Sequence, residues 1–163
     1  MAFLNGNKTE ELYEKYADML YRIALTHSQD SEDAMDAVQD VFVKFYTIGK
    51  SFDNEEYCKA WFIRSTINRC HDLSRKKKVR HYVPLDEVYN LPEQKCEIAP
   101  DLKDMLDSIP EKYKDVIVLH YLEELSVEEC SKSLGLSLSA TKMRLLRARE
   151  YLKTLITKEE LYD

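Results

Sequence analysis

Glycine and proline are scarce in this sequence, with three glycines and four prolines among 163 residues. Because tight turns between strands depend on these residues, a fold with many hairpins is excluded and a helical fold is expected. No apolar run approaches the ~20 residues of a membrane-spanning helix, and the N-terminal MAFLNGNKTEE lacks the basic and apolar regions of a signal peptide. We therefore expect a cytoplasmic protein with no membrane insertion.

Motifs of metal sites and of catalytic sites are also missing. Four scattered cysteines form no Cys-x-x-Cys pair, which indicates reduced thiols in packed positions rather than metal ligands: Cys58, Cys70, Cys96 and Cys130. The sequence contains no Gly-rich phosphate loop, no His-Glu-x-x-His pair and no Gly-x-Ser-x-Gly elbow. We expect no cofactor, no metal and no small-molecule substrate, and we expect that the protein is not an enzyme.

The apolar residues are sufficient for packed cores, since they make up 44% of the chain, and they recur at helical spacings of three and four. We expect Thr9 to cap the first helix. The pattern predicts five helices before the C-terminal region: Thr9 to Thr26, one beginning at Ser31, Glu56 to Lys78, Asp101 to Asp107, and Glu111 to Tyr121. The predicted fold is therefore all-α.

Residues 126 to 152 predict two helices joined by a tight turn. Ser126 and Glu129 have the spacing of a capping box, in which each side chain accepts a hydrogen bond from a backbone N–H of the first helical turn. Gly135 provides the left-handed residue that ends a helix, and Ser137 can cap the next one. This arrangement is typical of a helix-turn-helix, although any helical hairpin with a basic side has a similar pattern.

The second helix of this pair is basic on an apolar base. Four apolar residues fall at spacings that share one face: Leu138, Leu145, Ala148 and Leu152. The basic residues occupy the other faces: Lys142, Arg147, Arg149 and Lys153. Such a helix fits the major groove of DNA.

The net charge of −6 hides two basic blocks. Residues 61–82 contain seven Lys or Arg and one acidic residue, and residues 138–153 contain five and one. Between them, residues 83–100 hold three prolines and an excess of acid, which is typical of a flexible linker. We therefore predict two small helical domains, 1–82 and 101–163, joined by the linker 83–100, with one contact to nucleic acid in each domain.

Polar residues on the third helix form a candidate DNA contact in the first domain. Arg64, Asn68, Asp72 and Arg75 advance by four, four and three, so they lie on one stripe. Amide, acidic and basic groups on a stripe can contact base edges and phosphates together. Phe52, in the preceding loop, can stack on an unstacked base, although an aromatic residue in such a loop more often fills the local core.

Several motifs in the right order resemble one protein family. In the first half these are SEDAMDAVQDVFVKFY, then Phe52, then KAWFIRSTINRCHDLSRKKK. In the second half they are IPEKYKDVIVLHYLEELSVEECSKSLGLS followed by KMRLLRARE. On these motifs the chain resembles the extracytoplasmic-function (ECF) sigma factors, the smallest group of sigma-70-type subunits of bacterial RNA polymerase.

The resemblance implies a role for each surface. An acidic helix face would bind core RNA polymerase: Asp36, Gln39 and Asp40. Minus-ten promoter DNA would be bound by the loop and the third helix: Phe52, Arg64, Asn68, Asp72, Arg75, Lys76 and Lys77. The second helix of the helix-turn-helix would bind the minus-thirty-five element: Lys142, Met143, Arg144, Leu146, Arg147 and Arg149. The implied partners are core RNA polymerase, promoter DNA and a regulatory anti-sigma factor.

Two features of the recognition helix differ from the family pattern or bear on its specificity. The usual opening of small residue, Gly, Thr and Val is replaced by residues 138–141, and Ala140 lacks a hydroxyl that could hold a phosphate. Met143 and Leu146 present apolar groups, which suit thymine methyls better than hydrogen-bond donors. The other functions considered are a stand-alone helix-turn-helix regulator and, less favoured, a helical adaptor or RNA-binding protein.

Overall fold

The computed structural model describes residues 2–28, 30–79 and 99–162. In this part of the chain every regular element is helical, which confirms the all-α fold. Seven α-helices and one π-helical turn follow in order: α1 (Ala2–His27), α2 (Ser31–Ile48), α3 (Glu55–Val79), α4 (Pro100–Asp107), α5 (Glu111–Ile117), the π-helical turn (Val118–Leu122), α6 (Val127–Leu134) and α7 (Leu138–Tyr162). Most of the linker 83–100 lies outside the described residues.

The described residues divide into two compact units, and the boundary falls within α3. The first unit contains α1, α2 and the part of α3 from Ser65 onward. The second contains residues 53–64 and all elements from α4 to α7. Because one helix contributes to both units, the two halves of α3 have different neighbours.

In the first unit, α1 packs against α2 through apolar side chains. Leu20 and Ile23 of α1 are fully buried, as is Val38 of α2, and the ring of Tyr13 meets Phe42 edge to face at 4.9 Å. The predicted cap at Thr9 is wrong, because α1 begins at Ala2 and Thr9 lies in its interior. One isolated glycine, Gly6, costs about 1 kcal/mol in a helix and is not enough to stop it.

Helix α2 has a defined beginning and end. Asp30, the residue before Ser31, is the N-cap, and its carboxylate accepts a hydrogen bond from the Asp33 N–H at 2.8 Å. Gly49 ends the helix in the left-handed conformation, with φ 61°. Glycine adopts this conformation without the clash that a Cβ would cause.

In the second unit, α5 and α6 both pack on α7. The predicted helix from Glu111 to Tyr121 is only partly right, since α-helical winding ends at Ile117 and a π-helical turn follows. The turn contains one extra residue, and its end is held by hydrogen bonds from Glu123 N–H to Val118 O and from Leu125 N–H to Leu119 O. Val118 and Leu119 are buried there, so tertiary packing selects the wider winding.

The local predictions for the helix-turn-helix are confirmed. Ser126 and Glu129 form the capping box, with both reciprocal hydrogen bonds present. Gly135 ends α6 with φ 67°, and the Ser137 hydroxyl accepts a hydrogen bond from the Ala140 N–H at 3.1 Å. These contacts satisfy N–H groups at the starts of both helices and set the turn between them.

The buried face of α7 differs in one respect from the prediction. Leu145 and Ala148 are buried as expected, but Leu138 is exposed because it occupies the first position of the helix. Thr141 is fully buried in its place, and its hydroxyl donates to the Ser137 carbonyl oxygen. A threonine can be buried here because this local bond satisfies its polar group.

Candidate nucleic-acid interface

The acidic face of α2 is exposed. Asp36, Gln39 and Asp40 all lie on the solvent side of the helix, opposite the buried Val38 and Val41. Carboxylate and amide groups three and four residues apart form a continuous polar surface. This surface has the charge to meet a basic partner.

One acidic residue of this face already has a cationic partner. The Arg69 Nε donates to the Asp40 carboxylate at 2.8 Å, which joins α2 to the second half of α3. Arg69 is not among the site residues predicted from the sequence, because Asp40 is 29 residues away and the pair is visible only in three dimensions. The sequence feature that could have indicated Arg69 is its position three residues before Asp72, at the edge of the polar stripe.

The polar stripe of α3 is exposed where the sequence predicted it. Asn68, Arg75 and Lys76 are exposed and Asp72 is half-buried, while Ile67 and Cys70 on the other side are buried. Asp72 accepts a hydrogen bond from the Arg75 guanidinium within the same helix. This pair neutralises part of the basic charge, and Lys76 remains beside it. The side chain of Lys77 lies outside the described residues.

Phe52 sits just after α2 and is half-buried. Its ring is parallel to that of Phe45, with 6.1 Å between centroids and 6° between planes. Phe45 is buried, so it holds one face of the Phe52 ring, and the Lys50 ammonium lies 5.6 Å from the ring centroid. Phe52 therefore contributes to local packing while remaining partly exposed.

In the second unit, the first half of α3 is paired with α6 through two ion pairs. Lys132 Nζ lies 2.6 Å from Glu56, and Lys59 Nζ lies 3.1 Å from Glu129. The bond from Glu56 raises the pKa of Lys132. Partial burial raises the pKa of the Glu129 carboxyl, but the hydrogen bonds from the Ser126 N–H and from Lys59 outweigh it and hold the pKa below its ordinary value.

Arg64 is the last residue of α3 that belongs to the second unit, one helical turn before Asn68. A Cβ added at Gly135 would come within 3.0 Å of the Arg64 guanidinium. The guanidinium therefore covers the turn of the helix-turn-helix. Asn68, Asp72 and Arg75 are together in the first unit.

The outer face of α7 combines basic and apolar residues. Lys142, Arg147 and Arg149 are exposed, and Met143 and Leu146 are each nearly half exposed, at 48% and 47%. Arg144 is half-buried, since it lies at the flank of the buried face. Four neighbouring exposed residues at spacings of one, three and one form a surface that fits a groove: Lys142, Met143, Leu146 and Arg147.

Both halves of the chain match known families. Residues 12–80 match the family described as Sigma-70 region 2, and residues 100–152 match Sigma-70, region 4. Over 143 residues the chain is 30% identical to RNA polymerase sigma factor SigV of Bacillus subtilis, with 86% of each chain covered. It belongs to the ECF sigma factors of the sigma-70 family. The ECF RNA polymerase sigma factor SigM of Bacillus subtilis is 29% identical over 153 residues, with 90% of this chain and 93% of that protein covered.

Solved structures share the fold of this sigma factor. CnrH, in complex with the cytosolic domain of CnrY, superposes with a TM-score of 0.71 at 24% identity, covering 96% of this chain and 92% of that one. RpoE from Bartonella quintana, crystallised with the anti-sigma factor NepR, gives a TM-score of 0.69 at 24% identity, covering 91% and 96%. These similarities establish the common architecture.

The protein is thus an alternative sigma factor that recognises promoters and initiates transcription by RNA polymerase. Sigma factors are not classical enzymes. Within the described ranges, no helix of this sigma factor has the length and apolar character needed to cross a bilayer.

The lowered pKa of Glu129 predicts a pH-dependent contribution to stability. A carboxyl whose pKa is depressed in the folded state stabilises the fold above its unfolded pKa, and this stabilisation is lost as pH falls through the folded pKa. Wild type should therefore be more stable than Glu129→Gln by up to about 1 kcal/mol at neutral pH, because the glutamine can still accept the Ser126 N–H bond but lacks the charge that pairs with Lys59. The difference should shrink as pH is lowered from about 5 to about 3.

Urea denaturation followed by circular dichroism at each pH gives the two free energies of unfolding. Glu128→Gln, one residue earlier and exposed, is the matched control. It removes a negative charge from the same helical turn but leaves the pair between Lys59 and Glu129 in place, so its effect should be smaller. A pH-independent difference between wild type and Glu129→Gln would contradict the assignment.

Proposed function

We propose that this sigma factor contacts core RNA polymerase through α2, traps melted minus-ten DNA with Phe52 and α3, and reads the minus-thirty-five element with α7. The observation that carries the proposal is that two helical segments expose basic residues opposite a buried face: the part of α3 that belongs to the first unit, and α7 in the second. In this proposal residues 1–82 and 101–163 act as separate domains, and residues 83–100 join them. One chain would then bind two promoter elements at once.

The proposed polymerase contact is the exposed face formed by Asp36, Gln39 and Asp40. Its negative charge is not explained by the stability of α2, because these residues lie beyond the first helical turn, where acidic groups favour the helix dipole. A complementary basic surface on the polymerase would attract it and orient the first domain.

The proposed minus-ten site combines stacking with phosphate contacts. Phe52 is supported on one side by Phe45, so its ring is held in one orientation before DNA arrives. Stacking of a base contributes about 1–3 kcal/mol, which offsets an unstacking cost of a few kcal/mol. Further contacts come from the polar stripe of α3 and the two lysines that follow it: Arg64, Asn68, Asp72, Arg75, Lys76 and Lys77. Melting is then driven by binding energy, with no covalent chemistry and no cofactor.

The proposed minus-thirty-five site is the outer face of α7. Lys142 and Arg147 can contact phosphates or guanine edges, and Arg144 and Arg149 flank them. Met143 and Leu146 are apolar, so they favour thymine methyls at the positions they face. The element should therefore contain at least one thymine on the contacted strands.

An anti-sigma factor is a further proposed partner. RpoE of Bartonella quintana was crystallised with the anti-sigma factor NepR, and CnrH with the cytosolic domain of CnrY. The shared architecture supports a similar protein partner for this chain. This sigma factor would act in the cytoplasm, where polymerase and promoters are found.

Run-off transcription tests the proposed function directly. Core RNA polymerase with this chain should produce a promoter-dependent transcript, and core alone should not. A gel shift with the isolated chain provides the contrast with a stand-alone helix-turn-helix regulator, which binds duplex DNA without polymerase and usually as a dimer. Strong specific binding by the isolated chain, together with no transcript from the reconstituted enzyme, would overturn the proposal.

Phe52→Ala should impair open-complex formation more than core binding, because the ring stacks on an extruded base. Permanganate footprinting measures melting, and fluorescence anisotropy with labelled chain measures core binding. Phe52→Tyr keeps a stacking ring and should retain melting. Phe52→Leu keeps the apolar contact with Phe45 but lacks a ring, so it should behave like the alanine variant. Normal melting by Phe52→Leu would reduce Phe52 to a packing residue.

Arg147→Ala should weaken binding at one position of the minus-thirty-five element by about 1–3 kcal/mol if the guanidinium contacts a base. Competition gel shifts of the holoenzyme with single-base promoter variants measure the preference at each position. Lys153→Ala removes an exposed basic residue of α7 outside the proposed recognition surface and is the matched control. An equal loss on every promoter variant would assign Arg147 to a phosphate contact.

A further inference from the structure

The ion pair between Asp40 and Arg69 connects the two surfaces that the proposed function assigns to different partners. Asp40 lies on the polymerase face of α2, and Arg69 lies on α3. The Nε to Oδ2 distance is 2.8 Å, and the side chains are 48% and 31% exposed, respectively. Both groups are therefore accessible to other partners.

Arg69 lies at the edge of the proposed minus-ten stripe. It is three residues before Asp72 and seven before Lys76, spacings that put all three on one side of a helix. An arginine in this position has the chemistry of a phosphate contact, because its planar guanidinium pairs with two oxygens at once. While Asp40 neutralises it, its attraction for a phosphate is reduced.

Core RNA polymerase and promoter DNA thus each compete with the ion pair between Asp40 and Arg69. A basic group on the polymerase that binds Asp40 weakens the bond to Arg69, since the carboxylate then shares its oxygens with a second cation. A DNA phosphate that binds Arg69 in turn releases Asp40. By linkage, each partner must strengthen the binding of the other by the same factor.

We propose that Arg69 is a further minus-ten contact, which Asp40 holds until core RNA polymerase binds Asp40 and Arg69 transfers to a DNA phosphate. This inference rests on the proposed function, because it takes α2 as the polymerase surface and α3 as the minus-ten surface. Asp36 provides an internal comparison. It lies on the same face of α2, and within the described part of the chain it forms no ion pair.

The experiment measures the coupling between core binding and DNA binding. The probe is a fluorescein-labelled single-stranded oligonucleotide with the nontemplate minus-ten strand of a promoter that the holoenzyme transcribes. Anisotropy titrations give the affinity of the labelled strand for the holoenzyme, and the affinity of the full-length chain for core is measured with and without unlabelled strand. The coupling factor is the ratio of the two affinities for core.

Arg69→Gln should reduce the coupling factor by about two- to fivefold, the range expected for one exposed ion pair, and it should raise core affinity in the absence of DNA, because Asp40 no longer pairs with Arg69. It should also lower the salt dependence of strand binding by the holoenzyme by about 0.7 in the log–log slope, the value for one lost phosphate contact. Arg75→Gln is the matched control. Arg75 pairs with Asp72 inside α3, so its loss should weaken strand binding but leave the coupling factor unchanged.

Changes on α2 test the other half of the exchange. Asp40→Asn should raise the affinity of the free chain for the strand by about two- to fivefold, because Arg69 is released, and Arg69→Gln in the same chain should remove the gain. Asp36→Asn should not increase strand affinity, although it should weaken core binding.

Three results would overturn the inference: an unchanged coupling factor in Arg69→Gln, an equal reduction in Arg75→Gln, or an unchanged salt slope in Arg69→Gln. Each of these leaves the proposed function intact. The proposed function itself fails at an earlier point, if core with wild-type chain binds the strand no better than core alone. The two failures are therefore distinguishable.

Discussion

Each exposed surface of this protein is determined by the side chains that are buried on the opposite side of the same helix. On α7, Thr141, Leu145 and Ala148 are buried, so Met143 and Arg147 must face outward. On α2, the buried Val38 and Val41 fix the outward direction of Asp40. Because a helix is rigid around its axis, these apolar contacts orient polar groups that they never touch.

In helix α3, buried side chains determine the exposed face separately in each half of the helix. Phe62 and Ile63 are buried in the half that belongs to the second unit, and Ile67 and Cys70 are buried in the half that belongs to the first. The pairing of Lys59 with Glu129 also stabilises the N-terminal cap of α6. A single carboxylate in the helix-turn-helix thus serves both a local bond and a contact between helices.

The sequence predicted those features that depend on a few consecutive residues. The capping box of Ser126 and Glu129 and the left-handed Gly135 follow from local backbone chemistry, and both are present. The π-helical turn at Val118–Leu122 was missed, because the apolar spacing of this segment also predicts an α-helix. The bond between Asp40 and Arg69 was missed because no local pattern indicates a partner 29 residues away.

The π-helical turn also has a consequence for how this sequence can diverge. An α-helix turns by about 100° per residue, so one residue more or less in the continuous helical segment from Glu111 to Leu122 would rotate the later residues of that segment by that angle. The π-helical turn accommodates its extra residue between Ile117 and Glu123, and Glu124, two residues after its end, adopts a left-handed φ of 58°. A substitution in this segment leaves the number of residues in the turn unchanged. A one-residue deletion would change the direction in which the chain enters the loop before α6. We therefore expect descendants of this gene to vary here in residue type and not in length.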